Sequence, residues 1–129
     1  MLTEKDYCDY ETCVALKELG YVGICDAYYE LTGNEDYNRN SFELLYTRDF
    51  IHPDDIDRVA APLLYQAQKW LREKKLLHIV IDKLLYGAYE FSVVDILNYS
   101  EQKNGTSNSY EEALLEGIKE AIKLLKEEK

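Results

Sequence analysis

The chain has 129 residues, of which 47% are apolar and 31% are charged, and it contains twelve tyrosines and one tryptophan. This length and composition suit one folded domain over residues 1–129 and exclude a disordered acidic tail or a low-complexity segment. No apolar run approaches the roughly 18 residues that span a bilayer. The opening "MLTEKDY" has neither the basic start nor the apolar centre of a signal peptide. We therefore expect a cytoplasmic protein with no membrane partner.

The net charge of −10 is unevenly distributed along the chain. Residues 1–57 hold fourteen Asp or Glu against four Lys or Arg, whereas residues 58–129 hold eleven of each. An acidic first half disfavours direct nucleic-acid binding and favours basic partners. The candidate partner-binding residues are six carboxylates of this half: Asp26, Glu30, Asp49, Asp54, Asp55 and Asp57. The alternative is that these residues only keep a tyrosine-rich surface soluble.

The first half predicts one helix followed by one strand. Asp9 suits an N-cap and Gly20 a C-terminal stop, and the helical spacing of apolar residues between them predicts a helix over 10–19. Residues 21–31, "YVGICDAYYEL", are rich in aromatic and β-branched types, which is typical of a strand. In such a strand Tyr28 and Tyr29 point to opposite faces. The polar segment that follows predicts a turn.

Residues 61–81, "APLLYQAQKWLREKKLLHIVI", predict a helix that leads into a strand. Pro62 fits the first turn of a helix over 61–75. The apolar stripe of this helix includes Trp70, which we expect in the core, with an exposed binding anchor as the alternative. Alternating apolar and polar residues then predict a β-hairpin near 77–94 with a turn around 85–87. Residues 101–108, "EQKNGTSN", predict a loop. The pair Ser109 and Glu112 indicates a capping box for a final helix over 110–127.

Together these elements predict an α+β domain. Its core is a small, mostly antiparallel sheet of about three strands, including the hairpin, packed with the three helices. The final helix has an apolar stripe formed by Leu114, Ile118, Ala121 and Leu125, and Leu115 and Ile122 widen it. If the sheet covers only part of that stripe, the remainder should pair in a homodimer.

The chain has no nucleotide-binding, hydrolase or metalloprotease motif, so we expect a non-enzymatic protein with no catalytic residue and no cofactor. Only "HPDD", residues 52–55, sets an imidazole beside carboxylates, and a turn before a helix explains it equally well. The three cysteines, Cys8, Cys13 and Cys25, lack the paired spacing of a zinc site and suit buried thiols. A metal site completed by His52 or His78 is the open alternative. His78 falls on the polar phase of its strand, which a solvated strand face explains.

Parts of the chain resemble two known families. The stretch "AAPLLYQAQKWLREKK" at 60–75, the hairpin after it and "YEEALLEGIKEA" at 110–121 resemble a family of short proteins from Bacteroides-type gut bacteria and their phages. That resemblance implies a shared fold and a mobile-element context, and it assigns no catalytic residue. Within residues 27–59, "AYYELTGNEDYN" and "DFIHPDDIDRV" are similar to segments of PAS sensor domains, which implies a ligand-sensing pocket.

These observations lead to one main hypothesis and two alternatives. The main hypothesis is a non-enzymatic interaction or accessory protein of phage or mobile-element origin, which binds a protein partner or itself. The first alternative is a PAS-like small-molecule sensor. The second is an acidic nucleic-acid mimic that inhibits a basic nucleic-acid-binding protein, and it requires the six carboxylates to lie in rows on one face.

Overall fold

The computed structural model describes residues 2–22, 26–30, 44–46 and 58–127, with the backbone alone at residues 30 and 44–46. The chain divides into two compact units, Met1–Leu63 and Leu64–Lys129. Each unit contains helix and a three-stranded antiparallel sheet, so the predicted α+β class is confirmed. The expectation of a single domain over 1–129 stays a prediction.

The first unit contains a short 3₁₀ helix at Glu4–Asp6, helix α1 at Tyr10–Glu18, and strands β1 (Ala27–Glu30), β2 (Leu44–Tyr46) and β3 (Arg58–Ala60). Helix α1 begins as predicted, because the Asp9 side chain accepts a hydrogen bond from the Thr12 backbone N–H at 2.9 Å. It also ends as predicted, since Gly20 has left-handed backbone, with φ at +91°. Strand β1 is central and pairs with β2 on one side and β3 on the other.

The core of the first unit forms around buried cysteines and a buried tyrosine. The Cys13 thiol and the Tyr29 hydroxyl both donate hydrogen bonds to the Cys8 carbonyl, at 3.4 and 3.3 Å. Burial raises the pKa of Tyr29 well above its usual value, so its hydroxyl remains a donor. Tyr28, its neighbour in β1, is half-buried with the Arg58 guanidinium 5.7 Å from its ring centre. The predicted opposite orientations of the two tyrosines are confirmed, as are buried thiols at Cys8 and Cys13; Cys25 lies outside the described residues.

The second unit has the order helix, three strands, helix. Its elements are α2 (Leu64–Lys74), β4 (Leu77–Lys83), β5 (Tyr89–Asp95), β6 (Ser100–Ser107) and α3 (Tyr110–Glu127). The sheet order is β4-β5-β6, with every pair antiparallel. The predicted hairpin and final helix are confirmed, and the Glu112 N–H donates to the Ser109 hydroxyl at 3.2 Å, as a cap requires.

Three sequence-based expectations were wrong in detail. Residues predicted as a loop form β6, because an exposed edge strand needs pairing with β5 rather than an apolar face. Helix α2 begins at Leu64 and not at Ala61, since Pro62 precedes it with its carbonyl accepting the Cys8 N–H at 3.0 Å. Within residues 21–31, which were predicted as one strand, the structure has strand β1 at Ala27–Glu30. This strand belongs to a different sheet from the hairpin, whereas one sheet was predicted.

Helix α3 packs closely on the second sheet through its glycine. A Cβ atom at Gly117 would lie 2.5 Å from Ile79 Cγ2 and 3.4 Å from Phe91 Cβ, so only a glycine allows this approach. Gly105 in β6 plays the same part on the other side of Phe91, whose ring fills the space that a side chain would need. Most of the predicted apolar stripe of α3 is buried: Leu114, Ile118, Ala121 and Ile122. Leu125, the last residue of the stripe, is half-buried. The sheet therefore leaves little of the stripe of α3 exposed for pairing in a homodimer.

The two edges of this sheet are protected against further pairing. The Gln68 side-chain amide of α2 donates to the Ile79 carbonyl of β4 at 2.7 Å. On the other edge, β6 exposes polar and charged residues and carries a register shift opposite Val93 and Val94. Charged residues and bulges are the common devices that prevent edge-to-edge association.

Among the helices described, none has the length and apolar character needed to cross a membrane.

Candidate protein-binding surface

The turn between β4 and β5 exposes two large apolar side chains. Leu85 and Tyr86 are 96% and 97% exposed, the highest values among the large apolar residues that the structure describes. The loop is nevertheless well defined: the Leu84 N–H donates to the Ala88 carbonyl at 2.8 Å, and Gly87 has a φ of +80°. A three-residue loop that ends in left-handed backbone is a common hairpin connection. The turn therefore presents Leu85 and Tyr86 to solvent on a fixed backbone.

Two further tyrosines lie at the same end of the sheet. The rings of Tyr89 and Tyr110 meet edge to face with their centres 6.0 Å apart. Because Tyr110 is the first residue of α3, this contact places the start of that helix beside the turn. Tyr110 remains 45% exposed. We refer to Leu85, Tyr86, Tyr89 and Tyr110 as the tip.

The charged residues at the tip are mainly acidic. Asp82 and Glu90 lie directly opposite each other on β4 and β5, where like charges oppose pairing. Glu111 and Glu112 are exposed in the first turn of α3, where they suit the helix dipole. Among the described residues of 82–90 and of the first turn of α3, Lys83 is the one cation. The tip thus combines exposed aromatic and apolar groups with more carboxylates than cations, distributed over both faces of the hairpin.

A second apolar group lies at the opposite end of the same sheet, and we call it the base. It consists of Leu76, Leu97 and Tyr99, of which Leu97 and Tyr99 are 75% and 86% exposed. Leu76 belongs here because its carbonyl accepts the Ile96 N–H at 3.0 Å. Leu76 and Tyr99 both have left-handed backbone, with φ at +58° and +55°. Leu76 follows the C-terminus of α2 and Tyr99 lies in the turn between β5 and β6, two kinds of position where single left-handed residues are common.

The described residues include only two of the six carboxylates predicted to bind a partner. Asp26 is exposed just before β1, and Glu30 is the last residue of that strand. The remaining four, Asp49, Asp54, Asp55 and Asp57, lie outside the described residues, as does the "HPDD" segment with His52. The prediction that the six share one surface stays a prediction.

His78 is less solvated than its place in the strand suggested. It is half-buried, and its Nδ1 atom is buried with no hydrogen-bond partner among the described residues. Burial lowers the pKa of His78, and the Arg72 guanidinium adds to this effect. Within the described part of the chain, His, Cys, Asp and Glu side chains form no group of three or more that could hold a metal ion. Because its pKa is lowered, the His78 ring is held mainly in its neutral form.

Sequence reasoning located the turn but missed its exposed residues and those of the base. The available signal was the composition of the turn itself. Turns of this kind favour Asn, Asp, Ser and Gly, whereas this one has Leu85 and Tyr86 before Gly87. Bulky apolar residues at a predicted turn tip can reach no core, so the composition of this turn predicts exposed apolar side chains.

Comparison of the chain with protein-family models, with curated proteins and with solved structures finds no match. The resemblances to the Bacteroides and phage family and to PAS domains therefore stay predictions.

Proposed function

We propose that this chain is a non-enzymatic interaction protein that binds a protein partner through the tip. The observation that carries this proposal is the nearly complete exposure of Leu85 and Tyr86 on a turn held by its own backbone hydrogen bonds. Aromatic residues on a fixed turn lose little conformational entropy on binding, and tyrosines are enriched at binding hot spots. A cytoplasmic location is part of the proposal, and the free thiols of Cys8 and Cys13 suit a reducing compartment.

The chemistry of the tip favours a particular kind of partner. Asp82 and Glu90 lie on one face of the hairpin next to the turn, and Glu111 and Glu112 begin the helix on the other face. A complementary surface would offer an apolar contact with lysine or arginine at its rim, because opposite charges steer association and exclude wrong partners. Few side chains take part, so we expect an interface at the small end of the range and a correspondingly modest affinity.

A photo-cross-linking experiment tests this function. A photoreactive phenylalanine analogue replaces Tyr86 in one variant and Asn104, an exposed residue in the middle of β6, in a matched control. On irradiation in an extract of the source cells, we expect a discrete protein adduct from position 86 and none from position 104. Adding Leu85→Ser to the first variant should reduce its yield. Equal adducts from both positions, or none from position 86, would contradict the proposal.

A further inference from the structure

The exposed turn of the tip has carboxylates on both faces of its hairpin. Helix α3 packs on one face, because its Gly117 lies against Ile79 and Phe91. Asp82 and Glu90 belong to the opposite phase of β4 and β5, so they lie on the face that points away from α3. They are paired directly across the two strands. We call them the first pair.

The second pair of carboxylates, Glu111 and Glu112, begins α3 on the other face. The contact between the rings of Tyr110 and Tyr89 holds this end of the helix beside the turn. In the part of the chain that the structure describes, the four carboxylates form no ion pair and accept no hydrogen bond. Their charges are therefore uncompensated, since in the sequence of 82–90 and 110–113 only Lys83 is a cation.

A flat surface that touches the turn cannot contact both pairs. The hydrogen bond from the Leu84 N–H to the Ala88 carbonyl closes the turn, and the first pair lies two residues behind it. At about 3.4 Å per residue this is roughly 7 Å, to which the loop adds its own length. A flat surface that meets the turn end-on therefore lies farther from the first pair than the Debye length of about 8 Å at physiological ionic strength. A surface that lies against one face reaches the pair on that face alone.

We propose that the tip enters a cleft of its protein partner, with an apolar floor that receives Leu85 and Tyr86 and with lysine or arginine on both walls. This inference rests on the proposed function of the tip, and it names the shape and the charge of the partner's site. A cleft that encloses the turn contacts both faces of the hairpin, so it brings cations to both pairs of carboxylates. Enclosure also removes more water from the two apolar side chains than a flat contact does, and well-desolvated pockets are where binding hot spots occur.

The charge of the tip disfavours two other occupants. Anionic lipid surfaces attract clusters of lysine and arginine, whereas the tip has two pairs of carboxylates and one cation. Nucleic acids carry closely spaced phosphates, which the same carboxylates repel. A protein cleft with basic walls matches both the apolar side chains and the carboxylates. Opposite charges on its two walls steer association and fix the orientation of the hairpin.

Neutralising the two pairs separately tests this arrangement. Every protein is the full chain with the photoreactive phenylalanine analogue at position 86, irradiated in an extract of the source cells at about 0.15 M salt. The sheet variant carries Asp82→Asn and Glu90→Gln, the helix variant carries Glu111→Gln and Glu112→Gln, and a combined variant carries all of these substitutions. The changes remove charge at nearly constant shape, and circular dichroism shows whether each variant is folded.

The matched control carries Glu73→Gln and Glu127→Gln. Both residues are exposed in the last turns of α2 and α3, outside the tip, and their replacement changes the net charge by the same amount. We expect the control to keep the full yield of the position-86 adduct. The sheet and helix variants should each lower this yield at least about threefold and the combined variant at least about tenfold, because steering by opposite charges changes association rates by such factors. Mass spectrometry should place the cross-linked residue of the partner in a cleft with lysine or arginine on both walls.

Four results would overturn the inference. A loss of yield in only one of the two variants would identify a partner that lies against one face of the hairpin. An equal loss in the control would show an effect of net charge alone, and a yield indifferent to every substitution would show that the carboxylates take no part. A cross-linked residue on a flat or convex surface of the partner would contradict the cleft, and this mapping needs no substitution at either pair. In all four cases a protein adduct still forms and the proposed function stands, whereas the absence of any protein adduct, or an adduct to lipid or nucleic acid alone, would remove both.

Discussion

The second sheet has apolar side chains in two different surroundings: buried beneath α3, and exposed to solvent at the turns between its strands. Ile79 and Phe91 are buried beneath the helix, with contacts so close that Gly105 and Gly117 have no room for a Cβ atom. A few residues further along the same strands, Leu85 and Tyr86 touch almost nothing. The apolar residues of this unit therefore fall into two classes. Those on the covered face specify the fold, and those at the exposed ends of the sheet are available for association.

The largest expected effect separates the two classes directly. Phe91→Ala should lower the free energy of unfolding by about 3–5 kcal/mol, because it leaves a cavity between α3 and β6. Tyr65→Ala, which truncates an exposed aromatic residue of α2, is the matched control and should change it by less than about 1 kcal/mol. Urea unfolding followed by circular dichroism measures both. A loss below about 1.5 kcal/mol for Phe91→Ala would mean that the covered face is less well packed than its geometry indicates.

A smaller effect tests the approach of α3 to the sheet. In an exposed helix Gly→Ala stabilises by about 1 kcal/mol, whereas here Gly117→Ala should destabilise by about 1–3 kcal/mol. The reason is the 2.5 Å distance from the added Cβ to Ile79 Cγ2. Ile79→Ala removes that methyl group, so the cost of Gly117→Ala should be smaller by about 1 kcal/mol in the Ile79→Ala background. Strictly additive unfolding free energies in this double-mutant cycle would show that the two residues do not meet.

A titration at His78 concerns the face of the same strand that points away from α3. Its pKa is lowered in the folded state, so the unfolded chain binds the proton first as the pH falls through the unfolded value of about 6.5. Stability from this residue is therefore present above about pH 6.5 and is lost as the pH falls towards the folded pKa. The charged neighbours are Arg72 and, on the same face two strands away, Glu101.

The measurement uses a His52→Gln background, in which His78 is the only imidazole of the chain. An NMR titration should then show a single histidine pKa below 6.5. Urea unfolding at about pH 7.5 and about pH 5.5 should show a larger acid-induced loss of stability than the same chain with His78→Gln, since carboxylate titrations cancel in that comparison. A histidine pKa above 6.5 would contradict the buried, unpartnered position of Nδ1.

Local sequence signals predicted the elements that local chemistry controls. The Asp9 cap, the left-handed Gly20, the hairpin and the Ser109 cap all depend on residues within a few positions of one another, and each is present. Strand β6 was missed because its polar sequence becomes a strand only through pairing with β5, a contact set by the whole unit. The exposed residues were missed for a related reason: spacing indicates which residues alternate, but not whether anything covers the end of a sheet.

The smallest expected effect on stability is the most informative for function. Tyr86→Asn should change the free energy of unfolding by no more than about 0.5 kcal/mol, because an exposed side chain loses little when truncated and asparagine suits a turn. The same substitution, together with Leu85→Ser, is expected to weaken binding of the partner. Thermal unfolding of the purified chain keeps the two quantities apart, since a bound partner would otherwise raise the melting temperature. If Tyr86→Asn destabilised the monomer by more than about 1 kcal/mol, the side chain would belong to the fold, and the tip would no longer be available as a binding surface.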